Sequence, residues 1–118
     1  MSDNTIVTTL VNVTSQSAGT LNLTLQDLND LDFDTVTICA RASAGNITVS
    51  GVLSINADED FTYPATAFDV IPTVSGTTNP KGRVKDATGN DWGPYLSLDV
   101  VTTSTADIEV YLVGQKRV

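Results

Sequence analysis

The sequence predicts an all-β chain, an antiparallel, jelly-roll-like β-sandwich of about eight strands with little or no helix. Three observations lead there. Threonine and valine are the commonest residue types, and β-branched side chains suit a pleated, half-buried surface. Apolar residues recur at every second position, with no convincing period of 3.6. Clusters of Gly, Asn, Ser and Asp separate these stretches at intervals too short for crossover helices, which makes the sheets antiparallel. The 118 residues suit a single domain, 1–118, with residues 1–5 as a polar N-terminal stub.

Taken in order, residues 6–13 read as a strand apolar on both faces, with Ile6 and Leu10 on one and Val7, Val11 and Val13 on the other. Leu21, Leu23 and Leu25 alternate with Thr20, Asn22, Thr24 and Gln26. The spacing of Leu25, Leu28 and Leu31 comes nearest to a helix, but the Asp and Asn between them suit a turn. Val36, Ile38, Ala40 and Ala42 alternate with Thr35, Thr37, Cys39 and Arg41. Ile47, Val49, Gly51, Leu53 and Ile55 share one face of a long strand in which Gly51 suggests a bulge or bend. Residues 68–71 make a short strand that ends at Pro72, and 83–85 make another, within a loop-like stretch over 72–93. Leu96, Leu98 and Val100 alternate with Tyr95, Ser97, Asp99 and Val101, and Ile108, Val110 and Leu112 with Glu109, Tyr111 and Val113. Strands 6–13 and 108–113, apolar on both sides, point either to a second covered surface or to scattered exposed valines.

Composition excludes much chemistry. With no histidine, the commonest general base and zinc ligand are missing, along with every Ser-His or Cys-His nucleophile pair. The single Cys39 permits no internal disulfide and no Cys-cluster metal site, and reads as a structural thiol. A net charge of −8 opposes binding to nucleic acid. No basic-then-apolar leader and no membrane-length apolar run occur, so no membrane association is expected. The sequons at Asn12, Asn22 and Asn46 follow from a Thr- and Asn-rich vocabulary.

The acidic groups give no site. Asp30-Leu31-Asp32-Phe33-Asp34 opens like a calcium loop, but Thr35 stands where the sharp turn needs glycine and Arg41 where the last ligand needs glutamate. Asp58-Glu59-Asp60 is read as an acidic turn, without the aromatic platforms of a glycosidase cleft. No cofactor, metal or catalytic residue is expected, and the protein is not read as an enzyme.

The basic residues stand out against this background. Lys81, Arg83 and Lys85 alternate, so on a strand they would share one face. That stripe reads either as a contact for an acidic partner or as a charged guard on an edge strand. Trp92 and Tyr95, beside the turn Gly89-Asn90-Asp91, are candidate interface anchors or plugs at one end of the core.

The second half of the chain carries a resemblance. Gly51-Val52-Leu53-Ser54-Ile55-Asn56 leads to an acidic turn. Phe61-Thr62-Tyr63-Pro64-Ala65-Thr66-Ala67-Phe68-Asp69-Val70-Ile71 follows. After a Gly/Thr loop come Gly93-Pro94-Tyr95-Leu96-Ser97-Leu98-Asp99-Val100-Val101 and Ala106-Asp107-Ile108-Glu109-Val110-Tyr111-Leu112-Val113-Gly114. Over residues 45–115 this style of strand and turn resembles the capsid decoration (cement) proteins of tailed bacteriophages and related small all-β virion proteins. The resemblance implies a sandwich made in the host cytoplasm and bound to the capsid exterior of the virion. There it would hold the major capsid protein of the phage head as a homo-oligomer, dimer or trimer, and stabilise the shell. It transfers no binding residues. A carbohydrate-binding β-sandwich module, or a minor head or tail component, is the alternative.

Overall fold

The computed structural model describes residues 3–23, 26–27, 35–54, 68–85 and 95–117. Its strands are β1 (Asp3–Gln16), β2 (Gly19–Asn22), β3 (Gln26–Asp27), β4 (Thr35–Ala42), β5 (Asn46–Ser54), β6 (Phe68–Ser75), β7 (Lys81–Lys85), β8 (Tyr95–Thr102) and β9 (Ala106–Arg117). A 3-10 turn, Gly76–Thr78, links β6 to β7.

Two sheets form. The first has the order β1-β9-β4-β7 and the second β2-β8-β5-β6, with the two-residue β3 continuing β2 along β8. Every pairing is antiparallel. The first strand pairs with the last, β2 and β3 with the next to last, β4 with β7 and β5 with β6. The chain is thus one long hairpin rolled over on itself, which is the jelly roll. The strand order therefore bears out the all-β sandwich and selects the jelly roll among sandwiches.

Alternation sets the two layers. From β4, Val36, Ile38, Ala40 and Ala42 point inward and are buried, as do Ile108, Val110 and Leu112 from β9. Facing them are Ile47 and Val49 of β5, Leu96, Leu98 and Val100 of β8, and Val70 and Ile71 of β6. Thr102 is the one buried polar residue among the described residues, and no described buried side-chain polar atom lacks a partner.

One end of the sandwich is knitted by hydrogen bonds. The backbone N–H of Ser15, a residue held at φ 51°, donates to Asp107 Oδ1 at 2.9 Å. Asp107 N–H donates to Ser43 Oγ at 2.8 Å, and Ser43 N–H to the Asp107 carbonyl at 3.0 Å. Asn46 N–H donates to Thr103 Oγ1 at 2.8 Å, and Gly76 N–H to the Gly45 carbonyl at 2.9 Å. Four connections are tied together this way, and the backbone N–H groups of Ser15, Ser43, Asn46, Gly76 and Asp107 find partners there.

Several sequence expectations change. Ile6 and Leu10 do not share a face against Val7, Val11 and Val13. A register shift between Thr9 and Val11 makes Leu10 an extra residue in β1. Ile6, opposite Gly114, and Val11, opposite Val110, therefore lie on the inner side, while Val7, opposite Val113, faces out. Strand β6 does not end at Pro72 but runs on to Ser75. Among the described residues it pairs with β5 alone, and Pro72 lies where the register shifts opposite Thr48, a position in an edge strand that tolerates proline. Strand β5 runs in continuous register along β8 through Gly51, so the irregularity lies in β6 rather than at the glycine. The 72–93 stretch is in part β6, the 3-10 turn and β7. Asp3, Asn4 and Thr5 belong to β1, opposite Arg117, Lys116 and Gln115. These polar residues show no period, and only the backbone ladder recruits them. Leu25, Leu28, Leu31 and the acidic groups 30–34 and 58–60 lie outside the described residues, as does the aromatic segment 61–64.

The two sheets approach closely where β7 meets β6. Gly82, opposite Ile38, lies against the Val70 carbonyl, and a Cβ on Gly82 would collide with that backbone oxygen. No side-chain rotation relieves a clash with backbone. Gly82→Ala should therefore destabilise the domain by about 2–3 kcal/mol, a fall in Tm on the order of 10 °C. Thermal unfolding followed by far-UV circular dichroism checks this, and an unchanged Tm would contradict the close approach.

Candidate functional site: the outer face of the first sheet

The outer face of the β1-β9-β4-β7 sheet is built in rows fixed by register. Val7, Val113, Thr37 and Arg83 form one row, and Thr9, Tyr111, Cys39 and Lys81 the next. Asn12, Glu109 and Arg41 form a third. Each residue is there because its neighbours in sequence, such as Ile38, Leu112 and Val84, point into the core.

Two shallow depressions adjoin on this face. One, of about 380 Å³, is lined by Thr37, Cys39, Lys81, Gly82, Arg83 and Val113, with Gln115 at its side. The other, of about 360 Å³, is lined by Cys39, Arg41, Asn79, Glu109 and Tyr111. Cys39, a free thiol, is half-buried where they meet.

The electrostatics of the two depressions differ. In the second, Arg41 Nε lies 3.5 Å from Glu109 Oε2, and the Tyr111 hydroxyl donates to Glu109 Oε1 at 3.1 Å. The pair is largely exposed, so it is worth little to stability. The hydrogen bond to the Glu109 carboxylate, with lesser contributions from burial and from that same negative charge, raises the Tyr111 pKa above its ordinary 10.0. In the first depression, neither Lys81 nor Arg83, both exposed, has an ion pair or hydrogen bond among the described residues.

This asymmetry extends over the whole molecule. All six cations of the chain, Arg41, Lys81, Arg83, Lys85, Lys116 and Arg117, lie on strands β4, β7 and β9 of the first sheet. The strands of the second sheet carry Asp27, Asp69 and Asp99 and no cation. In a chain of net charge −8, one sheet thus gathers every positive charge.

The residues singled out in the sequence do not assemble into one site. Lys81 and Arg83 face outward together. Past Arg83 a register shift sets Lys85 opposite Val36, and its side chain lies outside the described residues. Tyr95 is half-buried on β8, on the outer side of the second sheet, opposite Ser54 and Asp27. Trp92 lies outside the described residues. Sequence reasoning missed Arg41, Cys39, Tyr111 and Gln115 as neighbours of the basic stripe. Only the pairing of β4 with both β7 and β9 brings them there, and no local signal encodes that pairing. Among the described residues no group of three or more His, Cys, Asp or Glu converges on a common point.

No protein-family model and no curated protein matches the chain. Among solved structures, the crystal structure of the SPBc2 prophage-derived protein YomS superposes with a TM-score of 0.61 at 11% identity, over 98% of this chain and 96% of that one. Infectious bursal disease virus, Gx strain, gives 0.48 at 13% identity, with 97% of this chain on 32% of the viral one. The dTDP-4-dehydrorhamnose 3,5-epimerase of Bacillus anthracis gives 0.45 at 12% identity, over 54% of the enzyme chain. The likeness to the prophage-derived protein spans both chains end to end and shows a shared fold.

The Tyr111–Glu109 contact has a measurable sign. A phenol pKa raised on folding means that its contribution to stability is present below about pH 10 and is lost as pH rises through the folded value. Glu109→Gln removes the charged acceptor and should bring the Tyr111 ionisation back down toward the ordinary value. Tyrosine NMR or phenolate absorbance, titrated through the alkaline range, reads this directly, and an unmoved Tyr111 titration would show that Glu109 does not hold its proton.

Proposed function

We propose that this chain is a structural component of a phage or viral particle, a decoration protein that lays the outer face of its first sheet on an acidic surface of the assembled shell. The observation that carries the reading is the gathering of all six cations on the strands of one sheet, with Lys81 and Arg83 exposed beside an open depression and without an ion-pair partner among the described residues. A chain of net charge −8 is repelled by an acidic surface in most orientations. It is attracted only when this sheet turns inward, so charge selects both the partner and the orientation. The second sheet, bearing Asp69 and Asp99, then faces solvent.

Two further facts support the reading. The fold is shared over its whole length with a prophage-derived protein. Jelly rolls also recur in viral capsids, where they work through shape and surface rather than bond-making. The partner is the major capsid protein. Many symmetry-related copies, each burying modest area, sum weak contacts into reinforcement of the shell.

The test is co-sedimentation of the purified chain with intact heads of the phage that encodes it. The double variant Lys81→Glu/Arg83→Glu should lose at least about tenfold in affinity, and binding of the native chain should weaken as salt rises. Asp99→Lys, on the opposite sheet, should bind as the native chain does. Absence of co-sedimentation, or binding indifferent to the Lys81/Arg83 reversal, would overturn the proposal.

A further inference from the structure

The four sheet edges of the sandwich are not alike. Edge strands invite pairing with another chain unless they are short, charged, interrupted by proline or bulged. Strand β7 has five residues, carries Lys81 and Arg83, and shifts register after Arg83. Strand β6 contains Pro72 and two register shifts. Strand β2 has four residues. Strand β1 has 14 residues, pairs with β9 on one side only, and between Asn4 and Gln16 contains neither proline nor charge.

Within β1 the stretch from Asp3 to Thr9 keeps an unbroken register, so its ladder is regular up to the bulge at Leu10. Its two large apolar side chains are both uncovered, Ile6 at 53% and Val7 at 60% exposure, one toward each side of the sheet. No strand among the described residues lies beside its outer edge.

We infer that the 3–9 segment of β1 is a self-association edge, pairing antiparallel with the same segment of a second copy about a two-fold axis. The two four-stranded sheets then join into one continuous eight-stranded sheet. The occupant is a second copy for two reasons. Two chains of net charge −8 repel over most of their surfaces, and residues 4–16 are the long uncharged strip along which they can meet. An antiparallel edge is also self-complementary, since a two-fold axis normal to the sheet keeps each residue on its own side and sets Val7 near its counterpart. The joined sheet carries both copies' Lys81 and Arg83 on the same outer face. The inference goes beyond the particle-binding reading and does not depend on it.

Sedimentation velocity of the purified full chain over a range of concentrations is the test, with particles absent. The native chain should show a dimer that dissociates on dilution. Val7→Lys should shift the population to monomer at every concentration, because the two lysines then stand diagonally across the axis on the same face, where like charges repel. Thr9→Lys, an exposed position on the same face, supplies a second probe whose folding is checked by circular dichroism. Lys81→Glu/Arg83→Glu should leave the dimer intact, which separates this edge from the proposed capsid contact. A native chain that is monomeric throughout, or a dimer that survives both lysine substitutions, would overturn the inference. So would addition of an extended segment of another protein in preference to self-pairing.

Discussion

The ladder between β1 and β9 is the constraint on which the architecture rests. Strand β9 is held between β1 and β4, so the first sheet is complete only when β9 has paired with β1 as well as with β4. Asp3 pairs with Arg117 and Val13 with Ile108 across nearly the full sequence. Contacts of such separation carry a loop-closure cost before they give any stabilisation. The inner residues Ile108, Val110 and Leu112 offset that cost by meeting the buried face of β4 on one side and Val11 of β1 on the other. The described outward cations, Arg41, Lys81 and Arg83, are set side by side by the neighbouring pairings of β4 with β9 and with β7.

Much of this was legible in the residues, and the reasons differ by strand. Strands β4, β5 and β8 are readable because the core lies on one side and water or a shallow surface on the other, so period 2 stands out. Strand β1 misled because one extra residue, Leu10, slips the count and transfers Val11 and Val13 to the face of Ile6. Its apparent two-sided character is partly that slip. Pro72 misled because a proline stops a strand only where its N–H is needed, and an edge strand has a side on which it is not.

The candidate site was half legible. Alternation alone placed Lys81 and Arg83 on a common face. The neighbours that make a surface of them, Thr37, Cys39, Val113 and Gln115, belong to strands distant in sequence, and only strand order assembles them. The segregation of cations has the same character. Arg41, Lys85 and Arg117 look scattered along the chain until β4, β7 and β9 prove to be members of one sheet. Tyr95, close to the basic stripe in sequence, is separated from it because successive long strands of a rolled hairpin can fall in opposite layers.

The same ladder has a mechanical side. Because Asp3 and Arg117 stand opposite each other, tension applied at these two points loads the rungs one after another, as a zipper is opened, instead of shearing them together. Pulled that way, the sandwich should open at low force from the 3/117 end and meet rising resistance where Val11 and Val13 enter the core. A tether attached through residues of the Asp107-centred cluster at the opposite end would instead load hydrogen bonds shared by several connections at once.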